Sequence, residues 1–306
     1  MNKIPTFPKF KILEFTDRQE IEKITCKLLP YSDFHFTIMW CWDIKEPITI
    51  SVLHNNLIAY HPDCLTGKSF YSVFGHTKIP LTLNLLSDYI ITNALPSIIK
   101  WIPEEIFQLS NGQSSLFKED EDNHDYVYDV AKVNLALGSE FSRYRQKLNA
   151  FLKENKDFEI KFLDLTQVET HSKLIYLFQL WVDKKQEQLS SFEPIYEFQA
   201  FRKLLQSAEH FNSLTTLALF SADEIIAFAI IDFMGNEYAC IPFFKSNITY
   251  NGSSQLLMKS VVSFLHDNFI KFINFEPDLG IPSLRFSKQM YRPIKFLKKY
   301  SIEIAS

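Results

Sequence analysis

The sequence predicts an α+β protein of two tandem units, each a mixed, mostly antiparallel sheet with flanking helices. Three observations carry this. From Phe158 onward the apolar spacing switches between periods of two and about 3.6 in the order β-α-α-β-β-β-α-β-α-β. From Phe10 to Tyr128 nearly the same order of elements recurs, although the residues do not repeat. The chain has 306 residues, enough for two cores when a domain usually takes roughly 100–200. The acidic loop Glu119–Asp125 reads as a solvated linker, dividing the chain into residues 1–124 and 125–306.

In the second half, Phe158–Asp164 alternates as a strand, with Phe158, Ile160 and Phe162 on one face. Thr166 offers a helix cap with Glu169 three residues on, and Leu174, Leu177, Phe178 and Trp181 follow at helical spacing. Pro194–Gln206 is a second helix burying Phe198, Phe201, Leu204 and Leu205. Strands at Thr215–Phe220, Ile225–Phe233 and Glu237–Phe243 are joined by turns at Ala222-Asp223 and Gly235-Asn236. A helix over Ser254–Asn268, a short strand Phe272–Phe275, a proline-led helix Pro282–Met290 and a last strand Ile294–Ile304 complete the order.

The first half gives a strand Phe10–Phe15, a helix Asp17–Leu29 and a helix capped by Ser32-Asp33 running through Trp42. Thr49–Leu53 and Leu57–His61 form a hairpin, followed by a strand Phe70–Phe74 and a helix Leu81–Ala94. A strand Ile98–Trp101, a short helix Pro103–Leu109 and a strand Tyr126–Tyr128 follow. This is the element order of the N-acetyltransferase-like (GNAT) fold, twice.

Composition narrows the function. Hydrophobic residues at 46% and charged residues at 22% describe a globular chain. A net charge of −4 argues against a surface given over to nucleic acid, DNA included, but allows a local basic patch. The cysteines Cys26, Cys41, Cys64 and Cys240 stand far apart without metal-ligand spacing, so neither a metal centre nor a disulfide scaffold is predicted. The longest apolar run, Ile225–Ile231, is far shorter than the ~18 residues of a membrane span, and no signal peptide opens the chain. A cytoplasmic protein without a transmembrane segment is expected.

Thr66-Gly67-Lys68-Ser69 resembles the end of a phosphate-binding P-loop, but Pro62 occupies its first glycine and a strand follows, so a turn is the better reading. No Gly-x-Ser-x-Gly elbow or His-Glu-x-x-His pair is present. The aromatic run Tyr31–Trp42 reads as a core-facing helix rather than a base-stacking platform. Tyr250-Asn251-Gly252-Ser253-Ser254-Gln255 lies between a strand and a helix, where the amides of Gly252, Ser253 and Gln255 could meet a phosphate; a plain turn is the alternative. Thr249 and Ser254 replace two positions of the acetyltransferase signature Arg/Gln-x-x-Gly-x-Gly/Ala. From Arg285 to Lys299 every charged residue is basic: Arg285, Lys288, Arg292, Lys295, Lys298 and Lys299. Arg285 and Lys288 share a helix face, whereas Lys298 and Lys299 read as a solvated tail.

Several segments resemble the phosphatidylglycerol lysyltransferase C-terminal-domain family. Asn274-Phe275-Glu276-Pro277-Asp278-Leu279-Gly280-Ile281-Pro282-Ser283-Leu284-Arg285-Phe286-Ser287-Lys288-Gln289-Met290-Tyr291-Arg292-Pro293 follows the family pattern except at Ser283, where glycine is usual. Asp125-Tyr126-Val127-Tyr128 with Leu135, Gly138 and Arg145, the aromatic entry from Ser32 to Trp40, and Tyr250-x-Gly252 with Gln255 are weaker matches in the same order. The resemblance implies a tandem GNAT-like enzyme related to those that take an aminoacyl group from a charged tRNA. It needs no cofactor and no covalent intermediate.

The expected function is therefore aminoacyl or acyl transfer from aminoacyl-tRNA, or another acyl donor, to an amine or hydroxyl acceptor, whether small molecule, peptide or lipid head group. Glu276, Asp278 and Tyr291 are the candidate catalytic residues. Arg285 and Lys288, the Gly252-Ser253-Gln255 loop, and secondarily Arg145 and Lys147, are the candidate phosphate contacts, with the donor phosphate between that loop and Arg285/Lys288. The competing reading has Glu276 and Asp278 capping the short helix and pairing with Arg285. Acetyl-CoA-dependent N-acetylation and non-catalytic binding on the same fold are the alternatives.

Overall fold

A computed structural model describes residues 3–62, 67–110, 116–186, 194–235 and 237–304. Cys64, Thr66 and Asn236 lie outside the described residues. The chain divides into Met1–Asp125 with Leu297–Ser306, and Tyr126–Phe296.

In the first unit β1 (Lys11–Ile12), α1 (Arg18–Thr25) and α2 (Phe36–Trp42) precede β2 (Thr49–Leu53), β3 (Asn56–His61) and β4 (Phe70–Phe74). α3 (Ile79–Thr92), β5 (Ile98–Pro103), α4 (Glu104–Gln108) and β6 (Phe117–Glu119) follow. The β2–β3 turn is His54-Asn55, both left-handed at φ 52° and 62°, as a two-residue hairpin demands. The helix expected from Ser32 begins instead at Phe36, behind a 3-10 turn over Ser32–Phe34. The side chains of Ser32 and Asp33 do not cap it, because they are engaged elsewhere: Ser32 Oγ donates to Asp125 at 2.8 Å and Asp33 pairs with Lys299.

The second unit holds β7 (Asp125–Asp129), α5 (Val130–Leu135), α6 (Ser142–Glu154), β8 (Phe158–Leu163), α7 (Val168–Gln186) and α8 (Pro194–Gln206). It continues with β9 (Leu214–Ser221), β10 (Glu224–Gly235), β11 (Tyr238–Ser246), α9 (Ser253–Asp267), β12 (Phe272–Asn274), α10 (Pro282–Gln289) and β13 (Lys295–Leu297). The final strand is β14 (Lys299–Glu303).

Strand order is β1-β2-β3-β4-β5-β14-β6 in one sheet and β13-β7-β12-β11-β10-β9-β8 in the other. Each is mixed: β4–β5 and β11–β12 run parallel, while β2–β3–β4 and β12–β7 are among the antiparallel pairs. α3 packs Ile79, Leu83, Leu86 and Ile90 on Ile58, Val73, Ile99 and Ile102. α9 packs Leu257, Val261, Val262 and Leu265 against Ala227, Ala229, Ile231 and Ile241. α7 and α8 cover the opposite face, where Phe178 and Phe201 meet Phe228 and Phe243.

The strand expected over Ile294–Ile304 is two strands in two sheets. β13 lies at the edge of the second sheet, while β14 inserts between β5 and β6, pairing Tyr300 with Ile102 and with Glu119. By contacts, β14 belongs with the first unit. Lys299 is fully buried instead of tailing into solvent, bonded to Asp125 at 2.7 Å and to Asp33. Asp125, expected in a solvated linker, is equally buried.

Candidate functional site

β11 and β12 run parallel only over Tyr238–Cys240 and Phe272–Asn274. β12 then ends while β11 continues to Ser246. At the point of divergence Ile241 and Pro242 together oppose the single Ile231 of β10, a bulge at which Pro242 brings no N–H. A crevice outside the carboxyl ends of parallel strands is the usual place for a ligand in α/β sheets. The loop leaving β12 and the N-terminus of α9, which follows β11, come after the carboxyl ends of these two strands and carry the expected site residues.

The β12–α10 loop is strained: Glu276 and Leu279 are left-handed at φ 58° and 55°, a conformation non-glycine residues adopt at a cost of order 1–3 kcal/mol. Lys288 explains why it holds. Its Nζ donates to three successive carbonyls, those of Phe275, Glu276 (2.9 Å) and Pro277 (2.9 Å). The ammonium also lies 5.0 Å from the centre of the Phe275 ring. Lys288 is 5% exposed, so in this structure its donors face the loop carbonyls.

Asp278, 2% exposed, accepts from Arg285 Nε (2.7 Å) and Nη2 (3.0 Å), from the Tyr126 hydroxyl (2.5 Å) and from the Gly280 N–H (2.8 Å). Burial favours its protonated form, but the donors from Arg285, Tyr126 and Gly280 outweigh it and hold the carboxyl below its usual range. Burial and Asp278 together push Tyr126 up to about 12. Asp278 thus stays ionised and surrounded by donors, a poor base and a good anchor, and its pairing with Arg285 is the one the competing reading described. The helix cap is not: the residue at the start of α10 is Ile281, and no side chain caps it. Arg285 keeps 41% of its side chain exposed. Glu276 is half-buried, with its N–H held by Asn274 Oδ1 at 2.9 Å. Tyr126 had no sequence signal beyond its place in a family segment; its partner Asp278 is distant in sequence.

The Gly252 loop is packed rather than open. Gly252 has φ 90°, and a Cβ there would lie 2.2 Å from the Lys147 carbonyl and 2.9 Å from Phe151 Cβ on α6. Ser253 and Gln255 are buried, and their N–H groups donate to the carbonyls of Tyr250 and Gly252. Tyr291, also buried, hydrogen-bonds with Gln255 and Ser254, and Gln255 Nε2 reaches Met290 Sδ at 3.4 Å. Burial raises the Tyr291 hydroxyl well beyond neutral titration. Arg145 is committed to the α5 terminus through the carbonyls of Ala136 (2.5 Å) and Gly138 (2.8 Å). Lys147 contributes its carbonyl to the Gly252 contact and keeps a partly exposed side chain. Gly252→Ala is expected to cost about 2–4 kcal/mol through overpacking and a strained φ, read as a lowered midpoint in urea unfolding; an unchanged midpoint would mean the loop is loose enough to cradle a ligand.

The structure thus joins Glu276, Asp278, Arg285 and Lys288 in one cluster, and Gly252, Ser253, Gln255 and Tyr291 in another at the start of α9. An open cleft of about 590 Å³ lined by Lys173, Tyr176, Asp223, Glu224 and Tyr250 contains none of them.

The family described as phosphatidylglycerol lysyltransferase, C-terminal, matches residues 27–303. The chain belongs to this family. A relative from Mycoplasmoides gallisepticum, the uncharacterized protein MYCGA3080, is 28% identical over 189 residues, 60% of this chain and only 57% of that protein's length. Among solved structures, a conserved protein of unknown function from Bacteroides thetaiotaomicron superposes with a TM-score of 0.80 at 20% identity, covering 97% of this chain and 99% of that one. The L-PGS of Bacillus licheniformis gives 0.64 at 13% identity over 100% and 95%. A tandem GNAT protein from the clavulanic acid biosynthesis pathway gives 0.53 at 7% identity over 97% and 99%. The lysyltransferase C-terminal fold is therefore a tandem GNAT-like one in this chain, as expected. Among the described residues no helix is long and apolar enough to cross a membrane.

Proposed function

We propose that the protein is an aminoacyl- or acyl-transferase that uses a charged tRNA as donor and an amine or hydroxyl as acceptor. Membership of the lysyltransferase C-terminal family supports the reaction class. The observation that carries the site is Arg285, held by Asp278 and Tyr126 on the helix that follows β12 yet still exposed to solvent.

In this reading the acceptor's nucleophilic atom attacks the ester carbonyl carbon of the donor. The carbonyl electrons move to oxygen, and the guanidinium of Arg285 stabilises that oxyanion or an adjacent phosphate. When the tetrahedral intermediate collapses, the C–O bond to the ribose breaks. The proton lost by the acceptor passes through the Glu276 carboxylate to the departing ribose oxygen. Asp278 and Tyr126 are positioning residues, and no cofactor takes part. Such a donor places the reaction in the cytoplasm.

The test is transfer of radiolabelled amino acid from a mixture of charged tRNAs to candidate acceptors. Arg285→Gln is expected to lower transfer about 100-fold, the usual cost of one oxyanion contact, and also to lower the unfolding midpoint, because the buried Asp278 loses its cation. Arg285→Lys, which keeps a positive charge beside Asp278, separates the two effects. Acetyl-CoA in the same assay separates the N-acetyltransferase reading. Absence of transfer from either donor would leave binding as the function of this fold and remove the proposal.

A further inference from the structure

We propose that Asp33, Lys299 and Asp125 form a proton-operated latch in the first unit, closed when Asp33 is protonated and loosened when it ionises. Three charged side chains from three distant stretches of chain meet where water is excluded: Lys299 and Asp125 are 0% exposed and Asp33 is 9% exposed. One ammonium faces two carboxylates, so the cluster carries one negative charge too many unless it holds a proton, and an uncompensated buried charge is costly.

The geometry says which carboxylate holds the proton. Asp125 accepts from the Ser32 N–H (2.7 Å), the Ser32 hydroxyl (2.8 Å) and Lys299 Nζ (2.7 Å). Asp33 is served by Lys299 and by a backbone N–H. Asp125 has the larger set of donors, so the proton belongs on Asp33.

The surrounding groups leave the excess in place. His124 is held below its usual range, first by burial, and so stays neutral, 3.7 Å from Glu119. Lys298 is taken by Glu119 at 2.9 Å on the exposed side. The Tyr31 hydroxyl donates to Glu105 at 3.0 Å. No second cation among these reaches Asp33.

Burial and the Asp125 charge, working against Lys299, push Asp33 up to about 6. A carboxyl whose folded pKa is raised binds its proton more tightly in the folded state. Its contribution to stability is therefore full below about pH 4 and is lost as pH rises through about 6. The element that feels this is the 3-10 turn Ser32–Phe34, whose Phe34 ring stacks on Phe74 at 4.0 Å between centroids. Ionisation of Asp33 loosens that turn.

The experiment follows the full-length protein from pH 5 to pH 8. The Asp33→Asn variant keeps the neutral amide at all pH values, so its melting temperature is expected to gain on the wild type as pH rises. Amide exchange at His35, whose N–H donates to the Ser32 carbonyl, is expected to accelerate about tenfold more than intrinsic chemistry requires across the same range, in the wild type only. Parallel melting curves for the two proteins would overturn the latch. Should Asp33→Asn fail to fold, the side-chain carboxyl ¹³C shift of Asp33 in the wild type decides: a midpoint near 6 supports the latch, and a midpoint below 4.5 overturns it.

Discussion

Lys299→Met is expected to destabilise the protein by about 3–5 kcal/mol at neutral pH, because it leaves two buried carboxylates without their cation. For a unit of this size that is a fall of about 10 °C or more in melting temperature. The loss should concentrate in the first unit, where β14 lies between β5 and β6 and carries Lys299. The neighbouring Lys298→Met removes a pair in which both side chains are about 40% exposed, and is expected to change stability by less than about 1 kcal/mol. Differential scanning calorimetry of both variants checks the contrast. Similar small losses at the two positions would mean that Lys299 is hydrated in solution and that the buried cluster does not exist.

The second large effect is expected at Lys288. Replacing it by Met removes the donor that gathers three consecutive carbonyls around one ammonium, and leaves those groups unsatisfied at a cost of about 2–4 kcal/mol. Because Glu276 and Leu279 are held in left-handed conformations by the same wrapping, the loop should relax and carry Asp278 and Arg285 out of register. Lys288→Arg should not rescue it, since a planar guanidinium does not fit a site shaped by three converging oxygens. Urea unfolding measures the first effect, and amide exchange of residues 275–281 measures the second. A Lys288→Met variant with wild-type stability and an ordered loop, impaired only in binding anions, would make phosphate contact, and not loop support, the role of this lysine.

The site was partly legible in the sequence for a definable reason. Glu276, Asp278, Arg285 and Lys288 lie within one short stretch, and their clustering follows from a strand, a tight loop and a proline-led helix, all local features. What each does there was not legible. Asp278 and Lys288 have the composition of a carboxylate base and a phosphate lysine, but Tyr126, reached across 152 positions, and the carbonyls of residues 275–277 commit them to holding the loop. Gly252 likewise fits an anion-binding turn, until the Lys147 carbonyl is found against its Cα.

By itself the sequence determined the elements and their order, because apolar period, caps and turns are set by neighbours a few residues away. The three strands and helix from β9 to α9, and the proline-led α10, appear close to where local spacing puts them. Only the tertiary structure decided which sheet a strand joins and which charges are buried. The segment from Ile294 to Ile304 has one continuous strand-like pattern, yet its two parts pair with β7 in one sheet and with β5 and β6 in the other. Strand pairing is a contact between residues far apart in the chain, so nothing in the local alternation selects the partner. Lys298 and Lys299 are adjacent and chemically identical. One stands in water beside Glu119 and the other is sealed between Asp33 and Asp125, because Lys298 lies in the link between β13 and β14 while Lys299 opens β14 between β5 and β6, a placement that only strand pairing distant in the chain decides.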